Sequence, residues 1–255
     1  MSLEGLNHRR VLITGAGSGI GRALAELAIS AGADGTLIDL NADSLDEMAS
    51  AGGCRSHTMD VTDPDGWAGI PRPDAGWDFV ALNAGVMTAP PDAPPEESDL
   101  TTMDFRRYRH VMGVNVDGVV HGVRRVLPEL ADGGAIVVTA SAAGVVGYAP
   151  DVAYSMSKHA VVGLVRSLAP LLAQKRRHRV CAICPGGVRT GIVPASLRSF
   201  LTTMMEPSVI AREILDLWLN GENGEVRAKM RTELPAQSID EPELPPWWNS
   251  ESGTA

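Results

Sequence analysis

The chain has 255 residues, an ordinary hydrophobic content of 44% and a formal charge of −9. That length suits one large α/β domain or two small ones. The negative balance argues against a nucleic-acid footprint and against an anionic membrane surface, and no stretch is apolar for the ~18 residues that a membrane span needs.

Val11–Thr14 is a short apolar run rich in β-formers. Gly15-Ala-Gly-Ser-Gly-Ile-Gly21 follows, and Arg22–Ala28 reads as a helix. A strand, a glycine turn and a helix start make a pyrophosphate site, because the first N–H groups of a helix are unpaired and its dipole favours negative charge. Gly15, Gly17, Ser18, Gly19, Ile20 and Gly21 are its candidate residues. Thr36–Leu40 is a second strand with Asp39 near its end, about 20 residues beyond the turn, where a nucleotide-binding βαβ unit holds the ribose with an acid. Asp43–Ala51 has helical spacing, and Ser56–Val61 is a short strand with Asp60 near its end. Residues 62–77 carry Pro64, Gly66, Gly69, Pro71, Pro73 and Gly76, so a helix there must be short or broken.

Asp78–Leu82 is a fourth strand ending in Asn83-Ala-Gly85, and the acidic, proline-rich Ala89–Glu97 is an exposed loop. Asp104–Val126 has helical spacing through Asn115 and Gly118. Ala135–Thr139 is a fifth strand, followed by Ser141. Ala153–Ala173 is a long helix with Tyr154 and Lys158 at i, i+4 on one face. Val180–Cys184 is a sixth strand leading into Pro185-Gly-Gly-Val-Arg-Thr190. Pro207–Asn220 is helical, Gly224–Met230 is an edge strand, and the proline- and acid-rich Arg231–Ala255 is irregular.

Strands alternate with helices throughout. The pattern predicts a Rossmann-like α/β fold, a doubly wound parallel sheet in a single domain. Ligands of such sheets sit outside the C-terminal strand ends. Gly15–Gly21, Asp39, Asp60, Asn83, Ser141 and Pro185–Thr190 all fall there, and that convergence marks an active site. A strand-end Asp or Asn is equally at home as a turn or cap residue. Cys181 and Cys184 form a C-x-x-C inside an apolar strand with no second ligand pair, so no metal is expected. The odd count of three cysteines and the lack of an apolar leader in Met1–Arg10 suit a reducing, cytoplasmic location.

Tyrosine ionises near pH 10 and is a poor base at neutral pH. A lysine ammonium one turn away favours the phenolate, and lowering the pKa by about three corresponds to roughly 4 kcal/mol. Such a phenol can take a proton from an alcohol or return one to a carbonyl. Ser141 can hydrogen-bond the same substrate oxygen. Asn115 either bonds a neighbouring carbonyl or fixes a water that links Lys158 to solvent.

These residues closely resemble the classical short-chain dehydrogenases/reductases. Thr14-Gly-Ala-Gly-Ser-Gly-Ile-Gly21 matches the family's T-G-x-x-x-G-x-G, Asn83-Ala-Gly85 its N-A-G, Tyr154-Ser-Met-Ser-Lys158 its Y-x-x-x-K and Pro185–Thr190 its P-G-x-V-x-T. The resemblance runs from about Arg9 to Thr190 and weakly to Met230. It implies an Asn115, Ser141, Tyr154 and Lys158 catalytic tetrad. It also implies NAD contacts from Asp39, Leu40, Asp60, Val61, Asn83, Ala84, Gly85, Tyr154, Lys158, Pro185, Gly186, Val188 and Thr190. Residues 1–230 then form the dinucleotide-binding domain, with a substrate loop at about 191–205, and 231–255 an acidic tail. The implied partners are a small alcohol or ketone and further copies of the chain, as dimer or tetramer.

The family's usual closing strand is not evident, and Trp247 and Trp248 stand in the tail where they can dock on a neighbouring subunit or over the substrate loop. Ile192, Val193, Leu197, Phe200, Leu201, Met204 and Met205 either line an apolar pocket or pack a surface helix. Arg189 and Arg198 either meet a substrate carboxylate or are solvated. A competing class is a dinucleotide-binding sensor that has lost catalysis, but such proteins usually lose the tyrosine or the lysine. A sugar-nucleotide epimerase would need a substrate domain for which this length leaves no room.

Overall fold

The computed structural model describes residues 4–50, 54–173, 177–199 and 204–243. Its strands are β1 (Arg10–Thr14), β2 (Asp34–Asp39), β3 (Arg55–Thr58), β4 (Trp77–Leu82), β5 (Leu130–Thr139), β6 (Arg179–Pro185), β7 (Val226–Lys229) and β8 (Gln237–Ser238). They form one sheet in the order β3-β2-β1-β4-β5-β6-β7-β8. All neighbours are parallel except β8, which runs antiparallel to β7.

Both faces of the sheet are covered, and the strand period of two allots the side chains. Val11, Ile13, Phe79, Ala81, Val137 and Ile183 pack on one side, with Leu24, Leu45 and Ile210 from helices α1 (Gly19–Ser30), α2 (Ala42–Ser50) and, later in the chain, Pro207–Asn220. Leu12, Val80, Leu82, Ile136, Val138 and Ala182 pack on the other. There they meet Trp67 of α3 (Pro64–Ala68), helices α4 (Phe105–Met112) and α5 (Gly118–Val126), and Val161 and Val165 of α6 (Val152–Ala173). A short α7 (Ala195–Arg198) precedes α8, the Pro207–Asn220 helix. The expected doubly wound parallel α/β sheet is therefore what the chain forms. The same period answers the C-x-x-C: Cys181 and Cys184 face opposite sides of β6 and cannot act as a pair.

Several local expectations are corrected. Helix α1 begins at Gly19, not Arg22, so the last glycines of the turn are already its first turn; weak glycine propensity hides this in the sequence. Strand β3 ends at Thr58, and Asp60 stands beyond it in a turn, its Oδ1 accepting the Thr62 N–H at 2.8 Å. Strand β5 begins at Leu130, five residues early, because Asp132-Gly-Gly134 masks a bulged start. The helix read across Asp104–Val126 is interrupted: Gly113–Asp117 is a π-turn with Asn115 inside it. Strand β7 is not an edge, and the segment after it is not wholly irregular. There β8 covers β7, held by Arg166, whose Nη2 donates to the Asp240 carbonyl at 3.0 Å. Trp247 and Trp248, and Phe200 and Leu201 of the substrate loop, lie outside the described residues.

Candidate active site

Strand order reverses between β1 and β4, and the crevice opens there at the C-terminal strand ends, as the geometry of open α/β sheets requires. It holds a cavity of about 530 Å³, within the range of a small-molecule site. At one end it is lined by Gly15, Ser18, Gly19, Ile20, Asp39 and Leu40, with Asp60, Val61, Asn83, Ala84 and Gly85 along one side. Ser141, Tyr154, Lys158, Pro185, Gly186, Val188 and Thr190 complete the lining, with Thr190 against Gly19.

Three expected residues act from behind the wall. Gly21 carries no side chain because a Cβ there would stand 2.0 Å from the Gly15 carbonyl oxygen. Gly17 donates its N–H to Asp39 Oδ2 at 2.8 Å, and a Cβ would stand 3.0 Å from the Asp39 carboxylate carbon. Asn115 is fully buried. Its Oδ1 accepts the Val86 N–H, and its Nδ2 donates to the Val86 carbonyl and to Ser157 Oγ, each at 2.9 Å. With both amide protons used, the side chain braces the Val86 backbone and α6 against each other.

A polar network ties the strand ends together. Thr14 Oγ1 accepts the N–H groups of Asn83 and Ala84 at 2.9 and 3.0 Å. Asn83 Oδ1 accepts the Thr139 hydroxyl at 3.0 Å, and the Thr139 carbonyl accepts Lys158 Nζ at 2.9 Å. The network links β1, β4, β5 and α6. Thr139 and Ser157 were not singled out from the sequence, and Thr14 was seen only as the end of a strand motif.

The Ser141 hydroxyl, whose Oγ accepts the Ala143 N–H at 3.1 Å, stands beside the Tyr154 phenol and favours its ionised form. The electrostatics differ from the expectation at this point. Burial pushes the phenol up to about 12, against the pull of Ser141. Burial also drives the Lys158 amine down to about 8. Lys158 Nζ lies 5.7 Å from the centre of the Tyr154 ring and bonds Thr139 instead, so it does not lower the phenol of the free chain as its spacing suggested. Desolvation outweighs it.

Beyond Tyr154 the wall turns apolar, with Met87, Val146, Ile192 and Val193, joined by Tyr148, His110 and Met230. Of the substrate-loop residues, Ile192 and Val193 line the cavity, while Met205 is buried in the core beside Val188. Arg189 pairs with Glu206 at 2.9 Å, and Arg198 Nε donates to the Val193 carbonyl at 3.1 Å; neither lines the cavity.

The short chain dehydrogenase family model matches residues 9–199. The chain belongs to this family. It is 32% identical over 206 residues, 76% of this chain and 78% of the relative, to the 2,5-dichloro-2,5-cyclohexadiene-1,4-diol dehydrogenase of Sphingobium indicum. It is 32% identical over 193 residues, 71% of each chain, to the 3beta-hydroxysteroid dehydrogenase 2 of Eggerthella lenta. The crystal structure of a short-chain type dehydrogenase/reductase from Mycobacterium marinum superposes with a TM-score of 0.76 at 28% identity, covering 90% of this chain and 96% of that one. The short-chain dehydrogenases are oxidoreductases that bind a nicotinamide dinucleotide, NAD(H) or NADP(H). The residues present fit that group: Gly15, Ser18, Gly19 and Ile20 line the cavity, and the last two open α1, whose first N–H groups have no partner within the helix. Among the described residues no cluster of metal-ligating side chains occurs and no helix is long and apolar enough to cross a membrane.

Proposed function

We propose that this short-chain dehydrogenase transfers a hydride between NAD(H) and a secondary alcohol or ketone of a small, largely apolar substrate. The observation that carries the reading is that Ser141, Tyr154 and Lys158 line one cavity together with the glycine turn, Asp39 and an apolar wall. Gly15, Ser18, Gly19 and Ile20 would hold the pyrophosphate, Asp39 and Leu40 the adenosine, and Asp60 with Val61 the adenine edge. Asn83–Gly85, Lys158, Pro185, Gly186, Val188 and Thr190 would hold the nicotinamide end.

The nicotinamide, when bound, exchanges the hydride with the substrate carbon. Everything else falls to the chain. Ser141 donates to the substrate oxygen and polarises it. Tyr154 moves the proton at that oxygen, giving it to a forming alkoxide or taking it from an alcohol. Thr139 holds Lys158 behind the phenol, and Asn115 fixes the Val86 backbone opposite it. The apolar wall of Met87, Val146, Ile192 and Val193 favours a hydrocarbon body. Two relatives named for dehydrogenation of a cyclic diol and of a steroid hydroxyl support a ring-borne alcohol. The family resemblance favours a homo-oligomer, and the unpaired thiols favour a reducing compartment such as the cytoplasm.

The test is a screen of secondary alcohols and ketones, ring-borne and open-chain, followed by nicotinamide absorbance with NAD(H) and NADP(H) separately. Turnover of none of them, with the cofactor shown to bind, would overturn the reading in favour of a silent dinucleotide-binding protein.

A further inference from the structure

Asp151 is a carboxylate with no solvent exposure at the start of the helix that carries Tyr154. A buried carboxylate is costly unless its oxygens are filled. Here donors fill both. Thr88 Oγ1 donates to Oδ1 at 2.6 Å, the Thr88 N–H to Oδ2 at 3.0 Å, and the Tyr154 N–H to Oδ1 at 3.0 Å. The last is an N-cap bond to the third residue of α6. The first two reach the segment after β4, which Asn115 grips two residues earlier at Val86. Residues 86–88 are therefore clamped to α6 at both ends, through Ser157 and through Asp151. The clamp passes around Tyr154.

We propose that Asp151 is a positioning residue for Tyr154: its bonds to Thr88 and to the Tyr154 N–H fix the phenol in the cavity, and its buried charge opposes a second negative charge there. The proposal rests on Tyr154 being the proton-transfer group. Among the described residues no basic side chain bonds Asp151 to neutralise it; its donors there are two backbone N–H groups and one hydroxyl. Donation to both oxygens favours the ionised form, while burial, the larger effect, holds the carboxyl above the ordinary carboxylate range. The groups that face the phenol are Asp151 and Tyr148 from the α6 start and the loop before it, Ser141 and Cys184 from the strand ends, and Lys158 one turn on. His110 of α4 lines the same cavity. Asp151 and Tyr148 both oppose the phenolate, and Ser141 favours it. Asp151 would thus keep Tyr154 a proton donor in the resting enzyme.

The experiment uses the whole chain labelled with carbon-13 at tyrosine Cζ, which gives three signals for the chain's three tyrosines. Tyr154→Phe assigns one of them. Asp151→Asn and Asp151→Ser both keep an N-cap side chain and remove the charge. Thr88→Val keeps the charge and removes one bond. The expected result is that the Tyr154 signal moves toward tyrosinate at a pH lower by about half a unit or more in both Asp151 variants, as loss of a nearby like charge requires. The rising limb of kcat/KM against pH for alcohol oxidation should move the same way. Thr88→Val, which removes one donor to the carboxylate, should lower both midpoints by less than the Asp151 variants do, lower kcat roughly tenfold with little change in KM, and be rescued by Thr88→Ser. Midpoints unmoved in both Asp151 variants, or lowered equally in Thr88→Val, would overturn the proposal. If Asp151→Ser does not fold, Asp151→Asn decides alone. A Tyr154 signal that moves as expected, in a chain that turns over no alcohol or ketone, supports the Asp151–Tyr154 coupling and overturns the oxidoreductase reading instead.

Discussion

Lys158 donates its ammonium to the Thr139 carbonyl at 2.9 Å, not to the Tyr154 hydroxyl, whose ring centre lies 5.7 Å away. The two side chains share a helical face but serve different partners. Tyr154 stands beside Ser141 in the cavity wall, and Lys158 is tied to the end of β5. The roles can therefore be separated by substitution.

Tyr154→Phe removes the hydroxyl that meets the substrate and leaves the glycine turn, Asp39 and Lys158 in place. Turnover should fall by at least about 100-fold, the lower bound expected of acid–base catalysis. NADH affinity, read by fluorescence titration, should stay within a few-fold of wild type. Retention of more than about a tenth of kcat would remove Tyr154 from the proton-transfer role.

Lys158 ties the site to folding. Its amine is pushed from the ordinary 10.5 down to about 8 by burial. Between those values the unfolded chain binds more protons than the folded one, so this group's contribution makes stability rise with pH. It is fully present above about 10.5 and is lost as pH falls through about 8. Lys158→Met removes the titration. The Tm of the variant relative to wild type should be most favourable near pH 7 and should decline as pH rises from 8 toward 10.5. A Tm difference flat across that window would show that the amine is not desolvated as described.

Thr14→Val tests the network under the cavity. The hydroxyl oxygen accepts two N–H groups, from Asn83 and Ala84. A valine of similar shape leaves both donors without it, at about 1–3 kcal/mol for each buried donor left unsatisfied. Tm should fall by several degrees and KM for the nicotinamide cofactor should rise, while Thr14→Ser should restore both. A Thr14→Val variant with wild-type Tm and KM would show that the Asn83 turn holds itself.

Much of this was legible because it is local. The glycine turn, Asp39 at the end of β2 and the Tyr154–Lys158 spacing each sit within one element, and the alternation of strands with helices gave the two-sided sheet. The bracing was not legible, because its partners are far apart in the chain: 69 residues between Thr14 and Asn83, 56 between Asn83 and Thr139, and 42 between Asn115 and Ser157. The π-turn was hidden because Phe105–Met112 and Gly118–Val126 both keep helical spacing around it. The state of Tyr154 was misjudged for a physical reason. Spacing shows which charge is near, but desolvation depends on everything packed around the group, and here it wins.

Cofactor choice turns on the end of β2. Asp39 Oδ2 accepts the Gly17 N–H and Oδ1 the Asn41 N–H, at 2.8 and 3.0 Å. Each oxygen keeps a lone pair, so the carboxylate can still accept from ribose hydroxyls. NADP would bring a phosphate of about −1.5 to −2 charge beside it. At about 4 Å and an effective dielectric near 20, one pair of unit charges opposes binding by roughly 4 kcal/mol. Solvent halving that still leaves a factor of about thirty. A compensating cation is the way out, and Arg22 is the candidate nearest the turn. It is engaged elsewhere: its Nε donates to Glu26 at 2.9 Å and its Nη2 to Glu47 at 3.0 Å. Leu40, 65% exposed at the adenosine end, carries no charge. The expected preference is NAD over NADP by at least about tenfold in kcat/KM, a conservative share of that repulsion. Asp39→Ala combined with Leu40→Arg should narrow or reverse it, and Glu47→Gln, which frees Arg22, should narrow it by less. Equal use of both cofactors by the wild type would mean that Asp39 does not face the adenosine ribose.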